Sequence, residues 1–172
     1  MQSSKKVVVL GHFGVGKTSL IRRIVDDSFS DNYEVSIGVH ITKKRVETRS
    51  DRPVSLILWD LEGTDDLNHI RDSYLLGTHA VIYVFDVSRP STFTNLDRDL
   101  SVLKNKTTGV PIKVVGNKVD LTGEEVVAQM LGQQNISYDY LTSAKTGSKV
   151  DDLFERLAKT LVPDAETIQG EL

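Results

Sequence analysis

The stretch Gly11-His12-Phe13-Gly14-Val15-Gly16-Lys17-Thr18 matches the pattern G-x-x-x-x-G-K-[ST] at every fixed position. The β-branched run Val7, Val8, Val9, Leu10 precedes it, and Leu20, Ile21, Ile24 and Val25 follow at helical spacing. The motif therefore sets a strand, a tight loop and a helix in succession. Such a loop can wrap its backbone N–H groups around phosphate oxygens, and the helix dipole adds positive potential there. Gly14 and Gly16 allow a tight turn and a close approach to the anion. Lys17 supplies a point charge for terminal phosphates, and the Thr18 hydroxyl a ligand for Mg²⁺.

Strands and helices alternate through the rest of the chain, without repeats. The expected strands are Lys6–Leu10, Gly38–Thr48, Val54–Asp60, Ala80–Asp86, Ile112–Asn117 and Tyr138–Thr142. Only Arg49-Ser50-Asp51-Arg52-Pro53 separates the second from the third, too short for a helical crossover, so those two should pair antiparallel. Later connections are long enough for helices. The fold class expected is α/β: a three-layer phosphate-loop NTPase fold with about six strands, mostly parallel, one antiparallel edge strand and helices on both faces. Thr122-Gly123-Glu124-Glu125 reads as a capping box opening a helix that buries Val126, Val127, Met130 and Leu131. The last helix aligns Val150, Leu153, Phe154, Leu157 and Leu161, with Asp151 and Asp152 in its first turn and Lys159 near its end, and Pro163 stops it. Residues 1–172 read as a single domain, with 164–172 a short polar tail.

Composition narrows the class. Net charge is −3 with both signs interspersed, which speaks against nucleic acid as a partner and against a polybasic membrane anchor. The chain has no cysteine, hence no disulfide, no thiolate metal site and no prenylation site. No apolar run approaches the ~20 residues of a spanning helix. A cytoplasmic protein without an intrinsic membrane anchor is expected.

Ligand sites in open α/β sheets lie beyond the carboxyl ends of the strands. After the third strand, Asp60 can hold Mg²⁺ through water, and the Gly63 N–H can reach a γ-phosphate. After the fifth, Asn117-Lys118-Val119-Asp120 places a carboxylate that can accept from the N1–H and 2-amino group of guanine. Adenine lacks that donor pair and would leave the charge unpaired, which disfavours an ATPase or kinase. After the sixth comes Ser143-Ala144-Lys145, where a backbone N–H can meet guanine O6. Each string alone is common; in this order behind a full phosphate loop they specify a guanine-nucleotide site.

From Lys5 to Val162 the chain resembles the Ras superfamily of small GTPases, most closely its Rab-like members. The strings that carry the resemblance are Gly11–Ser19, Ser36-Ile37-Gly38-Val39, Trp59-Asp60-Leu61-Glu62-Gly63, Ser73-Tyr74, Gly77-Thr78-His79, Tyr83–Ser88, Asn117–Asp120 and Ser143–Lys145. The resemblance implies a GTP/GDP switch whose segments near Asp31–Gly38 and Leu61–Asp72 respond to the γ-phosphate and Mg²⁺. It makes Ser36 a third Mg²⁺ ligand with Thr18 and Asp60, Phe29 a neighbour of the guanine, and Tyr33 a cover over the phosphates. Effectors, exchange factors and activating proteins are the partners implied, with Ile41, Trp59 and Tyr74 as the apolar trio that effectors read; Ile41 fits simple strand packing equally well. The missing cysteines point to a soluble switch of prokaryotic type, recruited by protein partners.

Three departures bear on turnover. Thr64 stands where the family has a water-orienting glutamine, Glu62 replaces a small residue facing the γ-phosphate, and Phe13 is bulky in the loop. Each has a bland reading: Thr64 occurs in relatives that hydrolyse GTP with help, Glu62 can face solvent, and Phe13 can lie over the loop as a lid. His12 and His69 read as surface residues. Lys17, Thr64, Glu62 and Gly63 are the candidates for catalysis in a slow GTPase switch. The alternative is a nucleotide-locked scaffold that never turns over.

Overall fold

The structure, a computed structural model, describes residues 3–32, 35, 37–47 and 53–162. Its sheet has six strands in the order β2-β3-β1-β4-β5-β6. These are β1 (Ser3–Gly11), β2 (Val39–Val46), β3 (Val54–Leu61), β4 (Ala80–Asp86), β5 (Ile112–Asn117) and β6 (Tyr140–Thr142). As expected, β2 and β3 run antiparallel, with Val39 opposite Leu61 and Val46 opposite Val54. All other pairings are parallel. The motif strand β1 is central, so the loop that follows it opens mid-edge, flanked by the ends of β3 and β4.

Successive side chains of β1 point to opposite faces, and both faces are covered. Val7 and Val9 pack with Leu20, Ile21 and Ile24 of α1 (Lys17–Asp26) and with Val150, Leu153, Phe154 and Leu157 of α5 (Val150–Leu161). Val8 and Leu10 face the other way, toward Leu75 of α2 (Asp72–Leu75), Leu96 and Leu103 of α3 (Leu96–Lys106) and Val127 and Leu131 of α4 (Glu124–Gln133). Each such fully buried side chain contributes roughly 1.5–3 kcal/mol, so the two cores hold the strand ends rigidly in place. The connection from β3 to β4 is the thin part. It carries only a 3₁₀ turn at Leu67–His69 and the single-turn α2.

Several sequence expectations are corrected. β6 starts at Tyr140 rather than Tyr138, because the Asp139 carboxylate takes the Val114 N–H at 2.7 Å that a longer ladder would have used. β2 starts at Val39 and ends at Val46; Thr48 lies outside the described residues. The capping box does not form. Gly123, at φ 94°, is the N-cap of α4 and no side chain caps it. The Thr122 N–H closes the preceding 3₁₀ turn on the Val119 carbonyl, and Glu124 pairs with Lys149 instead. Val126 is 57% exposed and is not core. α5 carries its acids and Lys159 as expected; Pro163 and the tail lie outside the described residues. No helix among the described residues is long and apolar enough to cross a membrane.

Candidate functional site

The strand ends converge on a cleft of about 560 Å³, well within the range of ligand pockets. Its floor is the loop after β1. Lys17 is buried, and its ammonium donates to the Gly11 carbonyl at 3.2 Å and the His12 carbonyl at 2.9 Å. Burial lowers its pKa to about 8, with Asp60 opposing the shift and Arg89 adding to it. Gly16, at φ 101°, is indispensable for a second reason: a Cβ there would lie 2.3 Å from Asn117 Nδ2. Asn117 donates to the Val15 carbonyl at 3.0 Å and accepts from the Ala144 N–H at 3.1 Å and the Thr142 hydroxyl at 3.2 Å. It stitches the loop to β6. Val15 is core, and Ser19 lines the cleft.

Lys17 is expected to make phosphate binding in the cleft pH-dependent. A base whose folded pKa is depressed is carried charged at a cost below about pH 8, and the nucleotide-free fold gains stability relative to the unfolded chain from there up to the ordinary value of 10.5. A phosphate in the cleft would reverse the depression, so binding takes up a proton above about pH 8. GDP affinity is expected to be flat from pH 7 to about 8 and to fall toward pH 9, approaching tenfold per unit. Calorimetric titrations at these pH values check it, and Lys17→Met should flatten the profile.

Beside Lys17, the Thr18 hydroxyl donates to Asp60 Oδ2 at 2.5 Å. Asp60 Oδ1 is buried and makes no hydrogen bond. Burial pushes the Asp60 carboxyl up, against the Thr18 hydrogen bond and the charges of Lys17 and His40. A buried carboxylate oxygen without a partner, next to a hydroxyl, is an all-oxygen donor set that fits Mg²⁺. Ser36 and Tyr33 lie outside the described residues.

At the far end, the Ser143 hydroxyl donates to Asp120 Oδ1 at 2.6 Å, and Phe29, Lys118, Ala144 and Lys145 line the wall. Lys145 Nζ stands 5.9 Å from the Phe29 ring centroid. Three contributors escaped the sequence reading. Arg23 of α1 donates to the carbonyls of Ala144 at 2.8 Å and Lys145 at 2.6 Å, fixing that loop. Asp86, buried at the end of β4, accepts from Lys118 at 2.6 Å and from Arg89 at 3.0 Å. Burial works against its charge, but the bonds from Lys118 and Ser88 outweigh it and hold the carboxyl below its ordinary value. Lys118 also donates to the Gly14 carbonyl at 2.7 Å, and Arg89 to that of Phe13 at 2.7 Å.

The candidates for turnover are less united. Gly63 lines the cleft, and a Cβ there would lie 2.6 Å from the Phe13 Cα. Glu62 does not turn inward. Its carboxylate accepts from the Gly38 N–H at 3.1 Å while its own N–H donates to the Gly38 carbonyl at 2.8 Å. Thr64 is occupied locally: its hydroxyl bridges the Asp66 carbonyl and N–H at 3.0 and 3.1 Å, and its N–H donates to Gly11. Phe13 is 43% exposed at the cleft's edge. His12 is no surface histidine. Its side chain, 17% exposed, lies 2.9 Å from Asp65 and 3.7 Å from Asp99, whereas His69 is exposed.

On the outer face, Trp59 and Tyr74 pack against the second core with ring centroids 6.5 Å apart. Ile41 sits opposite Trp59 and is 54% exposed. Lys6 Nζ stands 3.7 Å from the Trp59 ring centroid and donates to the Leu76 carbonyl at 2.8 Å.

The Ras family profile matches residues 6–163. The chain is similar to Ras-related protein Rab-32B of Dictyostelium discoideum, 34% identical over 94% of this chain and 66% of that protein. It thus spans just under two thirds of that relative's length. It is also similar to Ras-related protein Rab7 of Drosophila melanogaster, 34% identical over 97% of this chain and 86% of the relative. The Ypt/Rab-type GTPase YPT7 of Saccharomyces cerevisiae is 30% identical over 90% of this chain and 80% of its own.

Proposed function

The chain belongs to the Ras family as a Rab-like, GTP-binding small GTPase, and from that footing we propose that it is a two-state switch with slow intrinsic hydrolysis. The observation that carries this reading is the orphaned Asp60 oxygen beside Thr18 and Lys17, in one cleft with the Asp120–Ser143 pair. Asp120 and the Ala144 backbone would read guanine, with Phe29 against the base. The loop amides and Lys17 would hold the phosphates. Thr18, Asp60 and Ser36 would hold Mg²⁺, which supplies charge neutralisation at the β- and γ-phosphates. Gly63 would sense the γ-phosphate, and the Glu62–Gly38 clasp would make the two switch segments move together. We take residues 1–172 as one GTP-binding domain acting in the cytoplasm, with Ile41, Trp59 and Tyr74 read by effectors, and exchange and activating proteins acting on the switches.

The nucleotide-locked alternative draws support from Thr64, whose hydroxyl is engaged with Asp66 and turned to local structure. Single-turnover hydrolysis separates the two. Wild type should hydrolyse GTP very slowly. Thr64→Gln should raise the rate about tenfold, a fraction of the ~10²–10⁴ that a well-placed proton-transfer group supplies, and more so when combined with Phe13→Gly, which removes the bulky side chain at the cleft's edge. No hydrolysis in any variant would establish the scaffold reading. Brisk wild-type turnover, or a fall on Thr64→Gln, would show that another residue places the water.

A further inference from the structure

The carbonyls of Gly11 to Val15 in the phosphate loop are each held by a side chain. Lys17 takes those of Gly11 and His12, Lys118 that of Gly14, and Asn117 that of Val15. These holders belong to the motifs that mark the site. The Phe13 carbonyl is left over, and Arg89, outside every motif, donates to it at 2.7 Å. There are no cis peptide bonds among the described residues, so each C=O points opposite to the N–H of the next residue. A carbonyl pinned on one side aims the following N–H to the other.

We propose that Arg89 is a positioning residue for GTP and GDP: by pinning the Phe13 carbonyl it aims the Gly14 N–H into the cleft. The inference rests on the guanine-nucleotide reading above. The Phe13–Gly14 peptide is the one that most needs such a pin. Gly14 has φ 68°, and a glycine accepts either sign of φ, so the peptide before it can flip at little cost. A flip would turn the Phe13 carbonyl oxygen toward the phosphates in place of an N–H.

Arg89 is built to resist that flip. Pro90 restricts the preceding residue to extended backbone, and Arg89 has φ −126° and ψ 94°. Its Nε is bonded to the buried Asp86, whose other oxygen accepts from the N–H and hydroxyl of Ser88. The Asp86 N–H in turn donates to the Thr92 hydroxyl at 3.0 Å. One end of the guanidinium is thus anchored before the other reaches the loop. Asp86 Oδ2 serves Arg89 and Lys118 together, so adjacent carbonyls, of Phe13 and Gly14, share a single anchor.

Dissociation of a fluorescent GDP analogue from the full chain, compared across wild type, Arg89→Ala and Arg89→Lys, tests this, alongside ³¹P NMR of bound GDP. The guanidinium is 43% exposed, so its bond is worth less than a buried charged one, and Arg89→Ala is expected to speed dissociation about tenfold. The β-phosphate resonance should shift in Arg89→Ala. Arg89→Lys, which keeps the charge but has one ammonium for both contacts, should restore part of both effects. The melting temperature of the nucleotide-free protein should fall little, since Lys118 and Ser88 still bond Asp86. Dissociation of Arg89→Ala within about twofold of wild type, with an unshifted resonance, overturns the proposal. Equal loss in both variants with a lowered melting temperature also overturns it, leaving Arg89 a structural brace. A wild-type protein that fails to retain the analogue removes the guanine-nucleotide reading itself, and the proposal with it.

Discussion

Replacing Asp120 by Asn is expected to lower GTP affinity about 10³-fold and to invert the base preference toward xanthine nucleotides. Asp120 stands at the cleft with the Ser143 hydroxyl donating to its Oδ1 at 2.6 Å. As a carboxylate it can accept the paired N1–H and 2-amino donors of guanine. The amide of Asn offers one acceptor and one donor, which suits the extra carbonyl oxygen of xanthine and leaves a guanine N–H facing an N–H. An unpaired buried group carries the large penalty, which is why the loss exceeds that of one ordinary hydrogen bond. Competitive titrations with GTP, XTP and ATP measure it. Equal displacement of a bound guanine nucleotide from wild type by ATP and GTP would contradict the assignment of Asp120.

The second large effect concerns the metal. Chelation by EDTA should speed GDP release from wild type about 100-fold, equivalent to ~3 kcal/mol. Asp60→Ala should release GDP fast from the start and respond little to EDTA. The reason lies in the buried Asp60 oxygen without a hydrogen bond. Burial already disfavours the charge on that carboxyl, so its removal is not expected to unfold the nucleotide-free protein. Stopped-flow release with and without EDTA, alongside thermal melting, checks both halves. An Asp60→Ala protein that keeps wild-type EDTA sensitivity would move the metal elsewhere.

The sequence carried those parts of the molecule whose physics is local. Gly11–Thr18 encodes its own backbone shape, and the short connection between β2 and β3 forces antiparallel pairing, so both were legible. Arg23 and Arg89 were not, because the groups they hold are backbone carbonyls, which every residue has and no pattern marks. Asp86 was not, because it acts by anchoring Arg89 and Lys118 from a distant strand end. The orientation of Glu62 depended on an amide 24 residues away, and the pairing of the partly buried His12 on carboxylates at Asp65 and Asp99. The start of α4 was misread for the same cause. Thr122 and Glu125 make a good local box, but the turn at Val119 and the Glu124–Lys149 pair set the boundary.

Lys6 gives the chain one more property. Trp59 is its only tryptophan, and a fixed ammonium stands over that indole while also gripping the carbonyl of Leu76, just past α2. The emission colour of an indole follows the electric field across its rings. Any rearrangement of the segment from Glu62 to Leu76 that pulls Lys6 along changes that field at a single chromophore. The protein therefore carries its own optical reporter beside α2, and rearrangements there can be followed by ultraviolet fluorescence without attaching a dye.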